Sequence, residues 1–470
     1  MASVALEKLP QPKKLRVALF ADARLQPRWI VEAFADVARS DCAEIVLISI
    51  EEGARPRGRG LLDLLEHVAH KQAPRADLDV AFALGAVNDA ALDGIARLGV
   101  WRLRVDGVGE VARGEPLTGA ALTVRLAQGA VPRIAYESWG RTDPLSVSRN
   151  RRALHRKAAQ IPLRALREAQ RAGRDWLAQC RPSAFYENRR TAMPTLPSMA
   201  GRLWRSGLER LSAVEQWGLA FRFGPLSPNL EGFTRIAPPR GRDWRDPFAL
   251  ERDGRYYVFF ADGGRIALIE LAADGRWSEP RPVLERNYPL SHPFLVEHEG
   301  RLYMVPESAT DGTVEAYRCV EFPLRWELER VLLEGMRLVD ATLHRGPDRW
   351  WMFAAAAAID EDLHLFHAAR LLGDWAPHRK NPVKSDARSS RPAGRLYWRN
   401  GTLCRPAQIC APRHGTGLAL NRVLRLTPEE YVERQVERVF PPQGLLGLRT
   451  VNRAGALTVV DVLTRRSRFA

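Results

Sequence analysis

Cysteine is scarce. The five cysteines, Cys42, Cys180, Cys319, Cys404 and Cys410, are scattered without a CxxC pair, which excludes a disulfide framework of the small secreted kind and points to a reducing compartment. Long apolar runs are missing too. The opening MASVALEKLPQPKKLRV has no extended apolar core, and no later run approaches the length of a membrane span. A soluble, cytoplasmic chain, or one peripheral to the inner membrane, is expected. No GxGxxG follows the first apolar strand, so a dinucleotide is not indicated and no cofactor is expected. Nor do the histidines pair for a metal: His364 and His367 stand three apart in an expected strand and face opposite ways. Metal binding is not expected. Acidic charge is outweighed, with a formal net charge of +16 carried almost wholly by arginine. In the absence of a recognised nucleic-acid module, contact with an anionic membrane or phosphate ranks above nucleic-acid binding.

What is present is a repeat. The chain reads DPFALERDGRYYVFF from Asp246, HPFLVEHEGRLYMVPE from His292, DATLHRGPDRWWMF from Asp340 and RPAGRLYWRNGTLCRPAQ from Arg391. Each copy opens on a polar residue, runs through a short apolar segment, turns at Asp253-Gly254, Glu299-Gly300, Pro347-Asp348 or Asn400-Gly401, and resumes as an aromatic-rich run. That pattern is two strands joined by a tight turn, and a period of roughly 46 to 51 residues indicates a repeat architecture. The second strands, such as Tyr256-Tyr257-Val258-Phe259-Phe260, do not alternate apolar with polar and so must be covered on both faces. Stacked propeller blades provide that cover. A fifth copy starts at Arg449-Thr450-Val451-Asn452 and continues through Gly455 into Ala456–Asp461. The aromatic pairs Tyr256-Tyr257 and Trp350-Trp351 are assigned to blade packing.

The length of 470 residues and 46% hydrophobic content allow more than one core. The sequence predicts an α/β Rossmann-like domain over residues 1–145, a basic helical segment and linker over 146–214, and an all-β five-bladed propeller over 215–470. The α/β expectation rests on strands at Leu15–Phe20, Glu44–Ile50, Leu78–Leu84 and Val100–Val105, alternating with helical spacing at Pro27–Arg39, Leu61–His70 and about Asn88–Leu98. Arginines are densest from Arg149 to Arg174, and this segment reads either as a solvated helix with its linker or as a phosphate- or membrane-facing arm.

Two resemblances follow from these residues. LDVAFALGAVNDAALDGIARLGVW, then Pro116–Val124, then SRNRRALHRKA make the first segment similar to the formyltransferase family. That family's Asn-His-Asp set implies proton shuttling. Here Arg102-Leu103-Arg104-Val105 holds no histidine and Ala127-Gln128-Gly129 no carboxylate, so the domain reads as formyltransferase-like and catalytically degenerate. The second half, with WRDPF, SHPF, VPES, DATL, LLGDW and the paired RPAG and RPAQ, resembles the N-terminal domain of the plant glucosamine inositolphosphorylceramide transferases. It is more distantly similar to five-bladed glycoside hydrolases of the arabinanase and xylosidase type. Arg449 stands where that pattern implies a histidine before the threonine.

In a propeller the first strand of each blade lines the central channel, so Asp246, His292, Asp340 and Arg391 are expected to converge. Making or breaking a glycosidic bond needs a group that protonates the leaving oxygen and one that activates the nucleophile, usually two carboxyl groups. Asp246 is assigned as base, Glu307 as acid with a pKa raised by neighbouring carboxylates, and Asp340 as the group that orients or tunes. Arg391 and Arg405 offer bidentate clamps for a phosphate or a sugar carboxylate, with Gln408 on the same RPAQ segment. His292 is placed on a sugar hydroxyl, and Trp244 or Tyr288 on a sugar ring. The competing reading of these residues is structural, as salt bridges that lock blades together. Three function classes remain. The first is a glycosyl-transferring or -cleaving enzyme acting on a sugar, sugar nucleotide or glycolipid. The second is a non-catalytic glycan-binding or assembly protein, and the third a formyl- or acyl-transferring enzyme.

Overall fold

Three of the four repeat turns, Asp253-Gly254, Glu299-Gly300 and Asn400-Gly401, place both residues at positive φ. Two such residues in a row are the signature of a two-residue hairpin loop, and Arg252 indeed pairs with Arg255, His298 with Arg301 and Arg399 with Thr402. The computed structural model describes residues 13–50, 59–60, 77–105, 114–183 and 213–467, apart from four single positions within them. The expected helix Leu61–His70 and the linker beyond residue 183 lie outside the described residues.

The hairpins extend into five sheets. Blade 1 runs Trp244–Arg252, Arg255–Asp262, Arg265–Leu271 and Arg281–Leu284, and blade 2 runs Ser291–His298, Arg301–Ser308, Thr313–Glu321 and Arg325–Glu334. Blade 3 is built on Leu338–Arg345, Trp350–Ala356 and Ile359–Ala368, and blade 4 on Tyr397–Arg399, Thr402–Ile409, Gly417–Leu426 and Tyr431–Val439. Blade 5 is composite. Its Gly447–Ala454 and Leu457–Ser467 are joined by Ala213–Phe223 and Thr234–Ile236 from the far end of the segment, and Ala213–Phe223 pairs antiparallel with Leu457–Ser467 along its whole length. The result is a closed five-bladed propeller.

Its core lies between blades. Phe248, Phe259, Phe294 and Met304 are fully buried where blades 1 and 2 meet, and Trp351, Phe353, Leu363 and Leu365 pack on Leu396 and Leu403 where blades 3 and 4 meet. Each such side chain contributes about 1.5–3 kcal/mol by burial. This explains the unbroken apolar second strands, which are covered on both faces.

The chain divides into two compact units, one built mainly from residues before 195 and the other from residues after it. The first corrects the α/β expectation. Its seven-stranded sheet runs Ala43–Ile50, Leu15–Ala21, Val80–Leu84, Val100–Val105, Leu117–Arg125, Arg133–Arg141 and Arg181–Pro182. Only the first four strands are parallel; Val100–Val105 pairs antiparallel with Leu117–Arg125. Arg28–Ala38 is the one crossover helix among the described residues, and the helical spacing near Asn88–Leu98 condenses to a 3-10 turn at Asp89–Leu92. The sheet is mixed and the described residues form no Rossmann domain. The basic segment forms the helix Val147–Gln179, whose N-cap Ser146 accepts from the Arg149 amide and whose buried stripe includes Leu154, Ala158, Ile161, Ala165 and Ala169. Spacing by three and four residues places that stripe on one face, with the arginines on the other.

Candidate functional site

In four of the five blades the first strand carries a bulge at the same place. Register shifts fall between Arg245 and Phe248, Ser291 and Phe294, Val339 and Thr342, and Leu448 and Val451. The first extra residues are Asp246, His292, Asp340 and Arg449, and the first three adopt positive φ, at 55°, 46° and 53°. A non-glycine residue in this region costs of order 1–3 kcal/mol, and a bulge re-aims a side chain out of the regular pleat. Here the bulges turn these side chains toward one another.

The result is a small buried network. Arg449 Nη2 lies 2.8 Å from Asp246 Oδ1, and Thr450 Oγ1 donates to the same oxygen at 3.2 Å. Arg391 Nε donates to Asp340 Oδ2, which Gln408 Nε2 also reaches at 3.0 Å. His292 Nδ1 lies 3.5 Å from Asp340 Oδ1, and the edge of its ring packs on Phe248. Glu307 Oε2 accepts from the Asp340 amide at 3.2 Å. Asp461 accepts from the amides of Asp246, Arg449 and Thr450. Asp246, His292, Asp340 and Asp461 are fully buried, whereas Glu307 is partly exposed.

The electrostatics follow from that geometry. Burial, reinforced by the Asp340 charge, pushes the Glu307 carboxyl up to about 7. Burial acts the same way on Asp340, but Arg391, His292 and Arg449 outweigh it and hold the group well below the usual carboxylate range. Asp461 is pushed up to about 7 by burial, against the pull of Arg449. Burial also lowers His292, against the pull of Asp340 and Asp246.

Of the residues singled out from sequence, Asp246, His292, Asp340, Arg391, Gln408 and Glu307 come together. Arg405, Trp244 and Tyr288 stand elsewhere. Arg405 is fully buried, donating to Glu433, to Tyr431 and to the carbonyls of Ser389 and Ser390. Arg405→Lys keeps the charge but loses the planar fork, so a drop in stability of about 1–3 kcal/mol is expected in denaturant titration. Trp244 packs on Phe260 between blades 5 and 1, and Tyr288 donates to Glu315. Sequence reasoning missed two members of the network. Arg449 was visible as the polar residue opening the fifth copy. Asp461 was signalled by a lone carboxylate inside the apolar run Leu457–Leu463. Nor did the sequence indicate a metal set, yet Asp246, His292 and Asp340 bring one ligand atom each to within 4.8 Å of one another.

Comparison with known proteins places this network in context. Residues 244–444 match the family model described as "Glucosamine inositolphosphorylceramide transferase 1, N-terminal". The chain is 32% identical over 205 residues to glucosamine inositolphosphorylceramide transferase 1 of Arabidopsis thaliana, covering 41% of this chain and 27% of that one. It is 31% identical over 202 residues to the protein of the same name from Oryza sativa subsp. japonica, covering 40% and 27%. It thus spans about a quarter of the length of these relatives. Similar solved structures include a family 117 glycoside hydrolase of Zobellia galactanivorans, at 12% identity and a TM-score of 0.35 over 56% of this chain and 93% of that one. Another is an exo-beta-1,3-galactanase from Clostridium thermocellum, at 10% identity and a TM-score of 0.36 over 46% and 58%.

Proposed function

We propose that this chain is a carbohydrate-active protein that transfers or cleaves a glycosyl group at the mouth of its propeller channel. The observation that carries the reading is a pair of neighbouring carboxyl groups driven apart. Glu307 holds its proton to about pH 7, while Asp340, whose amide it accepts from, is kept ionised by Arg391 and Arg449. Two titratable groups with opposed environments are what acid–base chemistry at a glycosidic bond requires. Glu307, partly exposed, is the acid that protonates the leaving oxygen; Asp246 is the base, and Asp340 tunes both through charge. Arg391, at 14% side-chain exposure, reaches toward solvent beside Glu307 and suits a phosphate oxygen.

The relatives' name supports a glycolipid or sugar substrate, with a phosphate for Arg391 to hold. A second reading, a glycan-binding protein without turnover, draws on the ion pairs of Asp246 with Arg449 and Asp340 with Arg391, which suffice to lock blades together. The test is incubation of the full chain with nucleotide sugars, glycolipid acceptors and oligosaccharides, read by mass spectrometry, with Asp246→Asn in parallel. New product from the wild type and none from a folded Asp246→Asn is the expected result. Saturable binding that survives the substitution, with no product from either, overturns the catalytic reading in favour of the second.

A further inference from the structure

The three atoms gathered at the centre of the network have a shared property that the glycosyl reading does not use. Thr342 Oγ1 donates its single proton to the Asp340 carbonyl at 3.1 Å. At its 3.1 Å contact with His292 Nε2 the hydroxyl is therefore the acceptor, and Nε2 carries the ring proton. His292 Nδ1 is then the ring nitrogen left without a hydrogen-bond partner. It faces Asp340 Oδ1 at 3.5 Å, and a carboxylate oxygen of Asp246 lies within 4.8 Å of both residues' ligand atoms. His292 Nδ1, Asp340 Oδ1 and Asp246 Oδ2 have no hydrogen-bond partner in the protein. All three residues are 0% exposed. Three unpartnered polar atoms converge in a buried space, an arrangement that costs free energy unless something sits among them to engage them.

The neighbouring guanidiniums do not supply it. Arg449 Nη2 is on Asp246 Oδ1 and Arg391 Nε on Asp340 Oδ2, so each arginine engages one oxygen and leaves the other directed to the cluster. A sugar ring does not supply it either, being too large to sit between three atoms that all lie within 4.8 Å of one another. An ion can.

We propose that Asp246, His292 and Asp340 bind one divalent transition cation through two carboxylate oxygens and the imidazole Nδ1. One nitrogen and two oxygens suit Zn²⁺ or Mn²⁺ and fall short of the six to eight oxygens that Ca²⁺ takes. Bonds of about 2.0–2.2 Å place the donors of a tetrahedral centre about 3.3–3.6 Å apart; His292 Nδ1 and Asp340 Oδ1 already stand at 3.5 Å, and the Asp246 oxygen, within 4.8 Å of both, needs to close by at most about 1.5 Å. Thr342 orients the ring by accepting from the far nitrogen, the support that metal-binding imidazoles require. Three protein donors leave at least one position for water or a ligand oxygen.

The test is independent of turnover and so of the glycosyl reading. Full-length protein stripped with chelator is titrated with Zn²⁺ and with Mn²⁺ by isothermal calorimetry, and bound Mn²⁺ is counted by electron paramagnetic resonance. One ion per chain is expected, with affinity at least 100-fold weaker in His292→Phe, whose ring preserves the packing on Phe248. Asp340→Asn, which keeps size and loses charge, is expected to weaken binding at least tenfold. Circular dichroism establishes that each variant is folded; if His292→Phe is not, Asp340→Asn carries the comparison. Absence of saturable binding of either ion overturns the proposal, as does binding that both folded variants retain.

Discussion

Glu307→Gln is expected to lower turnover of the accepted glycosyl substrate by about 10²–10⁴-fold, the range that a positioned general acid contributes. Glutamine matches the acid in shape and still accepts from the Asp340 amide through its carbonyl, so folding is preserved while the transferable proton is gone. The pH dependence has a definite sign. Burial and the Asp340 charge raise Glu307 to about 7, so on the proposed reading the wild type is expected to turn over with the group protonated and to lose kcat/KM as pH rises through about 7. In Glu307→Gln the residual rate loses that alkaline fall. Steady-state profiles from pH 5 to 9 on both proteins check it; a wild-type profile that rises through pH 7 would sink the acid role of Glu307.

Asp461→Ala is expected to destabilise the propeller by about 3–5 kcal/mol, since each buried amide left without its acceptor costs about 1–3 kcal/mol. One carboxylate there serves three amides from two blades: Oδ2 takes Asp246 at 2.9 Å, and Oδ1 takes Thr450 at 2.8 Å and Arg449 at 3.2 Å. Alanine leaves those donors and part of the Arg449 guanidinium unanswered in the interior. For a unit of this size each kcal/mol shifts Tm by about 2–4 °C, so a fall of about 10 °C is expected by calorimetry. Linkage gives a second readout. Asp461 and Glu307 have folded pKa values raised above their unfolded ones, so the stability they contribute is full below about pH 4 and lost as pH rises through about 7. The neutral isostere Asp461→Asn flattens part of that slope. A Tm for Asp461→Ala within 2 °C of wild type would show that the three amides find other acceptors.

The blades were legible because turn chemistry is local. Asp253-Gly254, Glu299-Gly300 and Asn400-Gly401 announce their hairpins in two letters, and the polar residues opening each copy announce the channel. The composite blade was not, because the pairing of Ala213–Phe223 with Leu457–Ser467 joins segments far apart in sequence and leaves no mark in either. Arg405 shows a different limit. It sits in a copy of the repeat, but Glu433 in a strand of alternating exposure takes its Nε and Nη2 while the Ser389 and Ser390 carbonyls take the rest, and residue type does not reveal which partners reach a buried arginine. The first unit misled for a third reason. Buried strands carry the same apolar runs whether their neighbours are parallel or antiparallel. Val100–Val105 and Leu117–Arg125 therefore read as well for a doubly wound sheet as for the mixed one they form.

The composite blade has a consequence for synthesis. On the ribosome Ala213–Phe223 emerges first and must wait for Leu457–Ser467, some 240 residues later, before its edge is covered. At about 5–20 residues per second that wait lasts on the order of tens of seconds. Throughout it, a strand whose centre is Gly218-Leu219-Ala220-Phe221 offers unpaired amides and apolar side chains to any other nascent chain. Expression at lower temperature, or with a holdase that masks this edge, addresses that interval, because the propeller's own final strand is the one that seals the ring.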